Sequence, residues 1–316
     1  MMSFTEEEVM IQGNVSIAAT LTYTDKDSKK PAIVIIMGTG KLDRDGNSLG
    51  MKMDIYKNMA KMFAEDGLVA VRYDKRGTHK SGGDFRTAGL SDLVDDAISV
   101  IQYMKSLPYV DESKVIVCGH SEGTMIATLL SQKEDTAGLL LLGGAGICLK
   151  DALEYQSELA GKQIDEMKGI KGTLARKFSS KEKIDSNQEK LFGKAEETEG
   201  DTMTFKGVKI SAKWVREHES HTSEEYVSIL KAYGKPILAI TGTADLSADY
   251  HSLDAFKDVQ SITCYIPENV NHILREIDDD NNMLNVKKQY VRLSAKPIHE
   301  GTRETIVNWL NQFKIC

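Results

Sequence analysis

The 316-residue chain has few cysteines and no long apolar run, and both absences restrict the kind of protein it can be. Four cysteines in a chain of this length do not make a disulfide framework. No apolar stretch reaches the roughly 18 residues that a membrane span requires. The acidic N-terminal segment also lacks the basic and apolar regions of a signal peptide. We therefore expect a cytoplasmic protein with no membrane partner.

Basic residues are not concentrated anywhere in the sequence. The formal net charge is −7, and lysines and arginines are spread along the chain without the basic stripe of nucleic-acid-binding proteins. The hydrophobic content of 41% is ample for a sizeable core, which suits one large domain or one domain with an inserted lid. We therefore expect a globular protein with no nucleic-acid partner.

Short apolar runs alternate with helical patterns along most of the chain. Two segments, 8–12 and 15–24, alternate apolar and polar residues around a Gly13-Asn14 turn, which predicts an antiparallel pair at a sheet edge. The remaining patterns predict strands at 32–37, 68–74, 115–119, 138–142, 236–242 and 261–266, and helices at 53–65, 91–106 and 302–313, with Ser91 as the N-cap of the second helix. This order predicts an α/β protein with a mostly parallel central sheet and helices on both faces.

Residues 147–233 interrupt the alternation of strands and helices. This stretch is charged, has helical spacings and contains no convincing strand. We interpret it as a helical lid inserted into a core that comprises residues 1–146 and 234–316. An insertion between two late strands lies above the carboxyl ends of the sheet, where α/β folds place their active sites.

The most informative segment is residues 115–123, with the sequence VIVCGHSEG. An apolar strand ends in the pattern G-x-S-x-G, and a helix-like stretch follows, which is the context of a nucleophile elbow. Gly119 and Gly123 have no side chains, so strand and helix can approach closely on either side of the turn. The turn projects the hydroxyl of Ser121 beside a helix N-terminus that favours negative charge. Ser121 is therefore the predicted nucleophile.

A serine hydroxyl needs a base, and the base needs an orienting partner. In a sheet of this kind the chain order is serine, acid, histidine. Asp245 follows the strand at 236–242, and His272 follows the last strand, so both are expected at the same sheet edge as Ser121. Asp249, which we interpret as a helix cap, and Asp151 are the alternative acids.

Two backbone N–H groups are expected to form an oxyanion hole. One belongs to Glu122, which follows the nucleophile, and the other to Thr39, in the loop after the strand at 32–37. Among the other histidines, His120 is expected to point away from the serine. His218 and His221 have a spacing that could hold a metal, but no nearby carboxylate pair or cysteine supports such a site. We therefore expect no metal and no organic cofactor.

At this point the chain resembles an α/β-hydrolase, and more narrowly a bacterial carboxylesterase of the serine-aminopeptidase-like branch. Three features carry the resemblance: the G-T-G of residues 38–40 with D-R-D-G-N at 43–47, the R-Y-D-K-R-G of 72–77 with S-G-G at 81–83, and the elbow with an asparagine-histidine pair at 271–272. The resemblance implies the α/β-hydrolase fold, a triad of Ser121, Asp245 and His272, and hydrolysis of short or medium acyl esters. Lys41 and His79 depart from the family's usual residues.

The expected partner is thus a small-molecule acyl ester, cleaved through an acyl-enzyme on Ser121. The same triad also serves thioesters and peptides, so an acyl-CoA thioesterase and a serine aminopeptidase stay open as alternatives. A non-catalytic binding module of the same fold is a rival of a different class. Asp43, Arg44 and Asp74 are expected to form a structural ion-pair network rather than to act on substrate.

Overall fold

The computed structural model describes residues 4–278 and 280–314. The strands are Thr5–Gln12 (β1), Ser16–Tyr23 (β2), Lys30–Ile36 (β3), Val69–Tyr73 (β4), Val110–His120 (β5), Gly138–Leu142 (β6), Thr202–Phe205 (β7), Val208–Ser211 (β8), Ile237–Ile240 (β9) and Ile262–Tyr265 (β10). Within the described residues, eight of these strands form one sheet in the order β1-β2-β4-β3-β5-β6-β9-β10. The helices are Ile55–Glu65 (α1), Leu90–Ser106 (α2), Glu122–Leu130 (α3), Leu149–Glu166 (α4), Gly169–Ser179 (α5), Lys181–Glu196 (α6), Ala212–Glu219 (α7), Ser223–Ala232 (α8), Val286–Leu293 (α9) and Glu300–Leu310 (α10). Short 3₁₀ segments occupy Tyr250–Phe256, Met283–Asn285 and Asn311–Phe313.

The sheet is mostly parallel, as predicted. Strands β4, β3, β5, β6, β9 and β10 pair in parallel, while β1 pairs antiparallel with β2 and β2 pairs antiparallel with β4. The predicted antiparallel pair at the edge is therefore confirmed. Parallel strands place their carboxyl ends at one edge of the sheet, and the loops that carry Ser121, Asp245 and His272 all follow such ends.

Helices cover both faces of the sheet, which explains the continuous apolar runs in the sequence. In β3, Ala32, Val34 and Ile36 pack into one apolar cluster together with α2 and α3. The alternating residues Ile33 and Ile35 pack into a second cluster with α1 and α10. A parallel strand that is buried on both faces carries apolar residues on both of its sides, so its sequence is a continuous apolar run.

The stretch between β6 and β9 contains a hairpin that we did not predict. Strands β7 and β8 pair antiparallel through a turn at Lys206 and Gly207, whose φ angles are 48° and 79°. Two positive φ values are typical of a tight hairpin turn. The prediction that 147–233 contains no convincing strand is thus wrong. The hairpin is stabilised by tertiary packing, in which Met203 joins the apolar cluster of Phe192 and Val215. The division of the chain into a core and a lid stays a prediction.

The start of α2 also differs from the prediction. Ser91 is not the N-cap: the helix begins at Leu90, and the Gly89 N–H donates to the Asp92 carboxylate at 2.8 Å. The Ser91 N–H and hydroxyl instead donate to the Glu217 carboxylate of α7, at 2.7 and 2.9 Å. The start of α2 therefore has a local acceptor, Asp92, and a second, long-range carboxylate, Glu217, where the helix dipole favours negative charge.

Helix α9 was not predicted from the sequence. Its apolar residues Tyr290 and Leu293 pack onto the same cluster as α1 and α10.

Across the described residues, no helix is both long enough and apolar enough to cross a membrane.

Candidate active site

Ser121 occupies a sharp turn between β5 and α3. Its φ of 57° and ψ of −124° are strained for a residue with a side chain. Glycines on either side permit the turn, because a Cβ on Gly119 would lie 2.3 Å from the Gly123 carbonyl oxygen and a Cβ on Gly123 would lie 2.2 Å from the Ile36 carbonyl oxygen. The Ser121 N–H donates to the Leu142 carbonyl at 2.9 Å, which ties the turn to the end of β6. The G-x-S-x-G pattern therefore forms the predicted elbow geometry.

The structure brings Asp245 and His272 together. His272 Nδ1 lies 2.8 Å from Asp245 Oδ2, and both residues are buried. The other carboxylate oxygen, Oδ1, accepts the N–H groups of Ser247 and Ala248 at 2.8 and 3.0 Å. Because an ionised carboxylate only accepts, Nδ1 carries the proton in this pair, which leaves Nε2 of a neutral His272 as an acceptor.

The glycine turn at Gly143 and Gly144, at the end of β6, packs against both His272 and Ser121. A Cβ on Gly143 would lie 2.9 Å from His272 Nδ1, and a Cβ on Gly144 would lie 3.6 Å from the Ser121 carbonyl oxygen. Within the described chain, the Ser121 hydroxyl makes no hydrogen bond to His272. Such contacts are often long in a free enzyme and tighten when substrate binds.

A small cavity of about 60 Å³ opens at Ser121, and we call it the serine cavity. Its lining includes Thr39, Ser121, Glu122, Gly143, Ile147, Ala152 and His218. Both residues predicted to supply oxyanion donors therefore face the space next to the predicted nucleophile. The glycine before Thr39 allows the close approach, since a Cβ on Gly38 would lie 2.9 Å from Ser121 Cβ.

A buried hydrogen-bond chain joins the loop of Gly38 to the main chain of His272. The Gly38 N–H donates to the Tyr56 hydroxyl at 2.8 Å, and that hydroxyl lies 3.0 Å from His120 Nδ1. His120 Nε2 lies 2.9 Å from the His272 carbonyl oxygen, which can only accept. The proton is therefore on Nε2, and Nδ1 accepts from Tyr56. Burial, with a smaller contribution from the neighbouring His272, lowers the pKa of His120 to about 3.

The role of His120 is one that sequence reasoning missed. We expected only that it would point away from the serine, because the x positions of the elbow carry no motif of their own. The structure places its ring 4.7 Å from that of His272, between Tyr56 and the histidine loop. The one signal in the sequence was its position directly before Ser121.

Glu122 has a buried carboxylate with three side-chain partners. Lys75 Nζ donates to Oε2 at 2.5 Å, while Trp214 Nε1 and His218 Nε2 lie 2.5 and 3.1 Å from Oε1. Burial alone would raise the pKa of Glu122, but the charge of Lys75 and the hydrogen bond from His218 hold it well below its usual range. Glu122 is therefore an ionised carboxylate in the core, next to the predicted nucleophile.

The alternative acids and His221 have other partners in the structure. The Asp249 side chain caps the segment Tyr250–Phe256 by accepting from His251 N–H, as predicted for a cap, and Asp151 accepts from the Ser223 hydroxyl. His221 pairs with Glu225 at 2.9 Å rather than with His218. No group of three or more His, Cys, Asp and Glu side chains among the described residues is arranged to hold a metal ion.

The predicted ion-pair network near the first loop is present in part. Arg44 Nη2 lies 2.8 Å from Asp74 Oδ2, and both side chains are buried. Asp43 makes no ion pair among the described residues; it accepts the N–H groups of Asp45 and Asn47 at 3.0 and 2.8 Å and so shapes the loop.

Comparison with known proteins shows the family of the chain. The profile of the family described as Serine aminopeptidase, S33 matches residues 48–272, and the chain therefore belongs to this family. The resemblance to the serine-aminopeptidase-like branch of the α/β-hydrolases is thereby confirmed. A curated relative, Esterase EstD of Thermotoga maritima, is 24% identical over 154 residues, which cover 49% of this chain and 36% of that protein.

Solved structures show the same fold. Est1E from Butyrivibrio proteoclasticus, with ferulic acid bound, superposes with a TM-score of 0.56 at 17% identity, over 92% of this chain and 99% of that one. The esterase Pf2001 of Pyrococcus furiosus has a TM-score of 0.58 at 13% identity, over 99% of this chain and 95% of that one. At these identities the similarity establishes the fold alone, and the predicted α/β-hydrolase fold is confirmed.

Proposed function

We propose that this protein is a serine hydrolase that cleaves short or medium acyl carboxylic esters through an acyl-enzyme on Ser121. The observation that carries the proposal is the buried His272–Asp245 pair, 2.8 Å apart, which packs against the same glycine turn as the strained Ser121. A histidine base that is oriented by a buried carboxylate is the arrangement that activates a nearby serine hydroxyl.

In the proposed mechanism His272 Nε2 takes the proton of Ser121 as its oxygen attacks the ester carbonyl. Asp245 holds the tautomer and stabilises the imidazolium that forms. The N–H groups of Thr39 and Glu122 donate to the tetrahedral oxyanion. His272 then protonates the leaving alkoxide, and the same histidine activates the water that releases the acid. Every step uses this chain's own residues.

An apolar pocket of about 300 Å³ supports the choice of acyl size. It shares Thr39 and Glu122 with the serine cavity, so a substrate can place its carbonyl at Ser121 and its chain in the pocket. Apolar side chains dominate its lining, among them Phe85, Leu93, Leu191, Ile210 and Trp214. A volume at the low end of ligand pockets suits a short or medium chain rather than a long lipid.

The named relatives point the same way. Esterase EstD carries the activity in its name, and Est1E holds ferulic acid, which is an aromatic carboxylic acid, in its solved complex. The family description names a serine aminopeptidase, so both ester and peptide chemistry are represented around this fold. The pocket favours the ester.

A second candidate, serine aminopeptidase activity, is favoured by an acidic cleft. Its volume is about 620 Å³, and the carboxylates of Asp151, Glu224 and Asp249 belong to its lining. The cleft shares Ile147 and Ala152 with the serine cavity. A carboxylate near the reacting carbonyl is what recognition of a free α-amine requires.

The test compares hydrolysis of p-nitrophenyl esters of increasing acyl length with hydrolysis of aminoacyl p-nitroanilides and acyl-CoA thioesters. For an esterase, we expect the rate to peak at short or medium acyl chains. Ser121→Ala should lower turnover about 10⁶-fold, and Asp245→Asn about 10⁴-fold. A higher kcat/KM on the anilides would favour the aminopeptidase, and one on the CoA derivatives would favour the thioesterase. Equal rates for wild type and Ser121→Ala would refute the role of this serine.

A further inference from the structure

The carboxylate of Glu122 joins parts of the chain that are distant in sequence. Lys75 comes from the loop after β4, whereas Trp214 and His218 come from α7 in the stretch between β6 and β9. Each of the four side chains contributes a polar atom, and Glu122 itself is only 3% exposed. An ionised group that is buried this deeply persists only when its partners hold it.

Lys75 has a second partner that brings the network to the predicted oxyanion hole. Its Nζ donates to the Gly38 carbonyl at 2.7 Å as well as to Glu122 Oε2 at 2.5 Å. Gly38 directly precedes Thr39, and Glu122 directly follows Ser121. One ammonium group therefore spans the two backbone segments whose N–H groups are the predicted oxyanion donors.

We propose that Lys75 and Glu122 are positioning residues, and that with Trp214 and His218 they couple the placement of α7 to the geometry of the oxyanion hole. This inference rests on the proposed function, because it assigns a task to the same site. We call these four side chains the Glu122 latch. When α7 is packed in its observed position, both carboxylate oxygens of Glu122 accept hydrogen bonds, and the residue after Ser121 is fixed in place. When α7 is displaced, Glu122 Oε1 loses both of its partners.

Removing Lys75 alone and removing both charges of the ion pair are expected to have different effects on stability. Lys75→Met leaves a buried carboxylate without its cation, which is more damaging than removing both charges. In Lys75→Met/Glu122→Gln the amide oxygen can still accept from Trp214 and His218, while the contact to Gly38 stays lost. We expect the double variant to regain the stability of the fold but not the full turnover. It also keeps the test informative if the single variant fails to fold.

The chain offers a matched control for Lys75. Lys105 Nζ also donates to one carboxylate and one carbonyl, Glu134 Oε1 at 2.6 Å and Asp135 O at 2.5 Å. It lies in the last turn of α2, where it takes no part in the serine cavity or the apolar pocket. Lys105→Met therefore removes the same pattern of bonds without touching the latch.

The coupling itself can be observed without any substrate. The chain has two tryptophans, so a sample labelled at tryptophan gives two indole N–H signals, and Trp309→Phe assigns them. We expect the Trp214 signal to be shifted downfield and slow to exchange with solvent, because its Nε1 lies 2.5 Å from Glu122 Oε1. Lys75→Met should shift this signal and speed its exchange, and Lys105→Met should not. An unchanged Trp214 signal in Lys75→Met overturns the coupling.

The consequence for the oxyanion hole is measured by ester kinetics and by binding of an arylboronic acid, which forms a tetrahedral adduct with an activated serine. We expect Lys75→Met to lower kcat about 10²-fold with little change in KM, and to lower the affinity for the boronic acid by a similar factor. A shifted Trp214 signal with wild-type kcat and boronate affinity would overturn the positioning role while the esterase stands. A wild-type protein that hydrolyses no ester and binds no boronate would overturn both proposals.

Discussion

The substitution Gly143→Ala should lower both the activity and the stability of the protein, through two different physical effects. A Cβ at this position would lie 2.9 Å from His272 Nδ1, 3.0 Å from His272 Cε1 and 3.1 Å from Asp245 Oδ2. Ordinary contacts between such atoms are about 3.5 to 4.0 Å, so in Gly143→Ala the His272–Asp245 pair must move by about 0.5 Å or more. The glycine also has a φ of 62°, where an alanine costs about 1 to 2 kcal/mol.

These two effects predict different readouts. A displacement of this size at a catalytic base is expected to lower kcat between about 10-fold and 10²-fold, less than the roughly 10⁴-fold expected for loss of the aspartate. The backbone strain should lower the free energy of unfolding by at least about 1 to 2 kcal/mol, because the clash adds to it. Ester hydrolysis and urea unfolding, measured on the same preparation, give both numbers.

Gly234→Ala is the control for backbone strain. Gly234 has a φ of 70°, and a Cβ there would meet nothing closer than the Ala232 carbonyl oxygen at 3.8 Å. We expect it to lose a similar amount of stability while its kcat stays within about twofold of wild type. If Gly143→Ala kept wild-type turnover, or if Gly234→Ala lost as much activity, the assignment of His272 and Asp245 to catalysis would be refuted.

Two further predictions concern stability. The pKa of His120 is about 3 in the folded protein against an ordinary 6.5, so the unfolded chain binds the extra proton between these values and stability falls as the pH falls through that window. From pH 7.5 to 5 the free energy of unfolding should decrease by about 2 kcal/mol from this group, and urea unfolding of His120→Gln should show a clearly smaller decrease; an equal one contradicts the prediction. Glu217→Ala removes the acceptor of the Ser91 N–H at the start of α2 and should cost about 1 kcal/mol in the same assay, whereas an unchanged unfolding midpoint would show that this contact is not a cap.

The buried strands could be predicted closely because burial on both faces leaves an uninterrupted apolar run. The run at 32–37 became β3, Lys30–Ile36, and the run at 138–142 became β6 with the same bounds. From Ala32 to Ile36, alternate residues of β3 pack on opposite faces of the sheet, and no polar residue interrupts this part of the strand. Here local sequence and tertiary environment require the same residues.

The hairpin of β7 and β8 escaped prediction for the opposite reason. Its strands have four residues each, and only Met203 and Ser211 among them are buried. Met203 packs on Phe192 of α6 and Val215 of α7, so its environment comes from helices rather than from its own strand. The turn of this hairpin has Lys206 before Gly207, where hairpin turns with two positive φ angles usually have asparagine or aspartate, so the usual sequence signal is missing.

At the site, chain order was enough to predict that the acid and the base would meet. Asp245 and His272 come after consecutive strand ends, and the structure holds them 2.8 Å apart. The partners of Glu122 obey no such rule, since they lie 47, 92 and 96 positions away along the chain. Trp214 and His218 have the i, i+4 spacing of one helix face, but no pattern in the sequence relates them to Lys75 or to Glu122. Only the packed structure shows that all three partners meet at one carboxylate. The catalytic roles of Ser121, Asp245 and His272 and the positioning role of Lys75 and Glu122 stay proposals.

The contact of α7 with the start of α2 limits how the stretch between β6 and β9 can be exchanged among relatives. Glu217 holds Ser91, and Lys213 Nζ lies 2.8 Å from Asp92 Oδ2, so two residues of α2 are fitted to two residues of α7. A chimera with crossover points only at the ends of this stretch would bring a foreign α7 onto an unmatched α2. Grafts that carry residues 89–92 along with α7 should therefore fold more often, and recombination within the family should show the same preference.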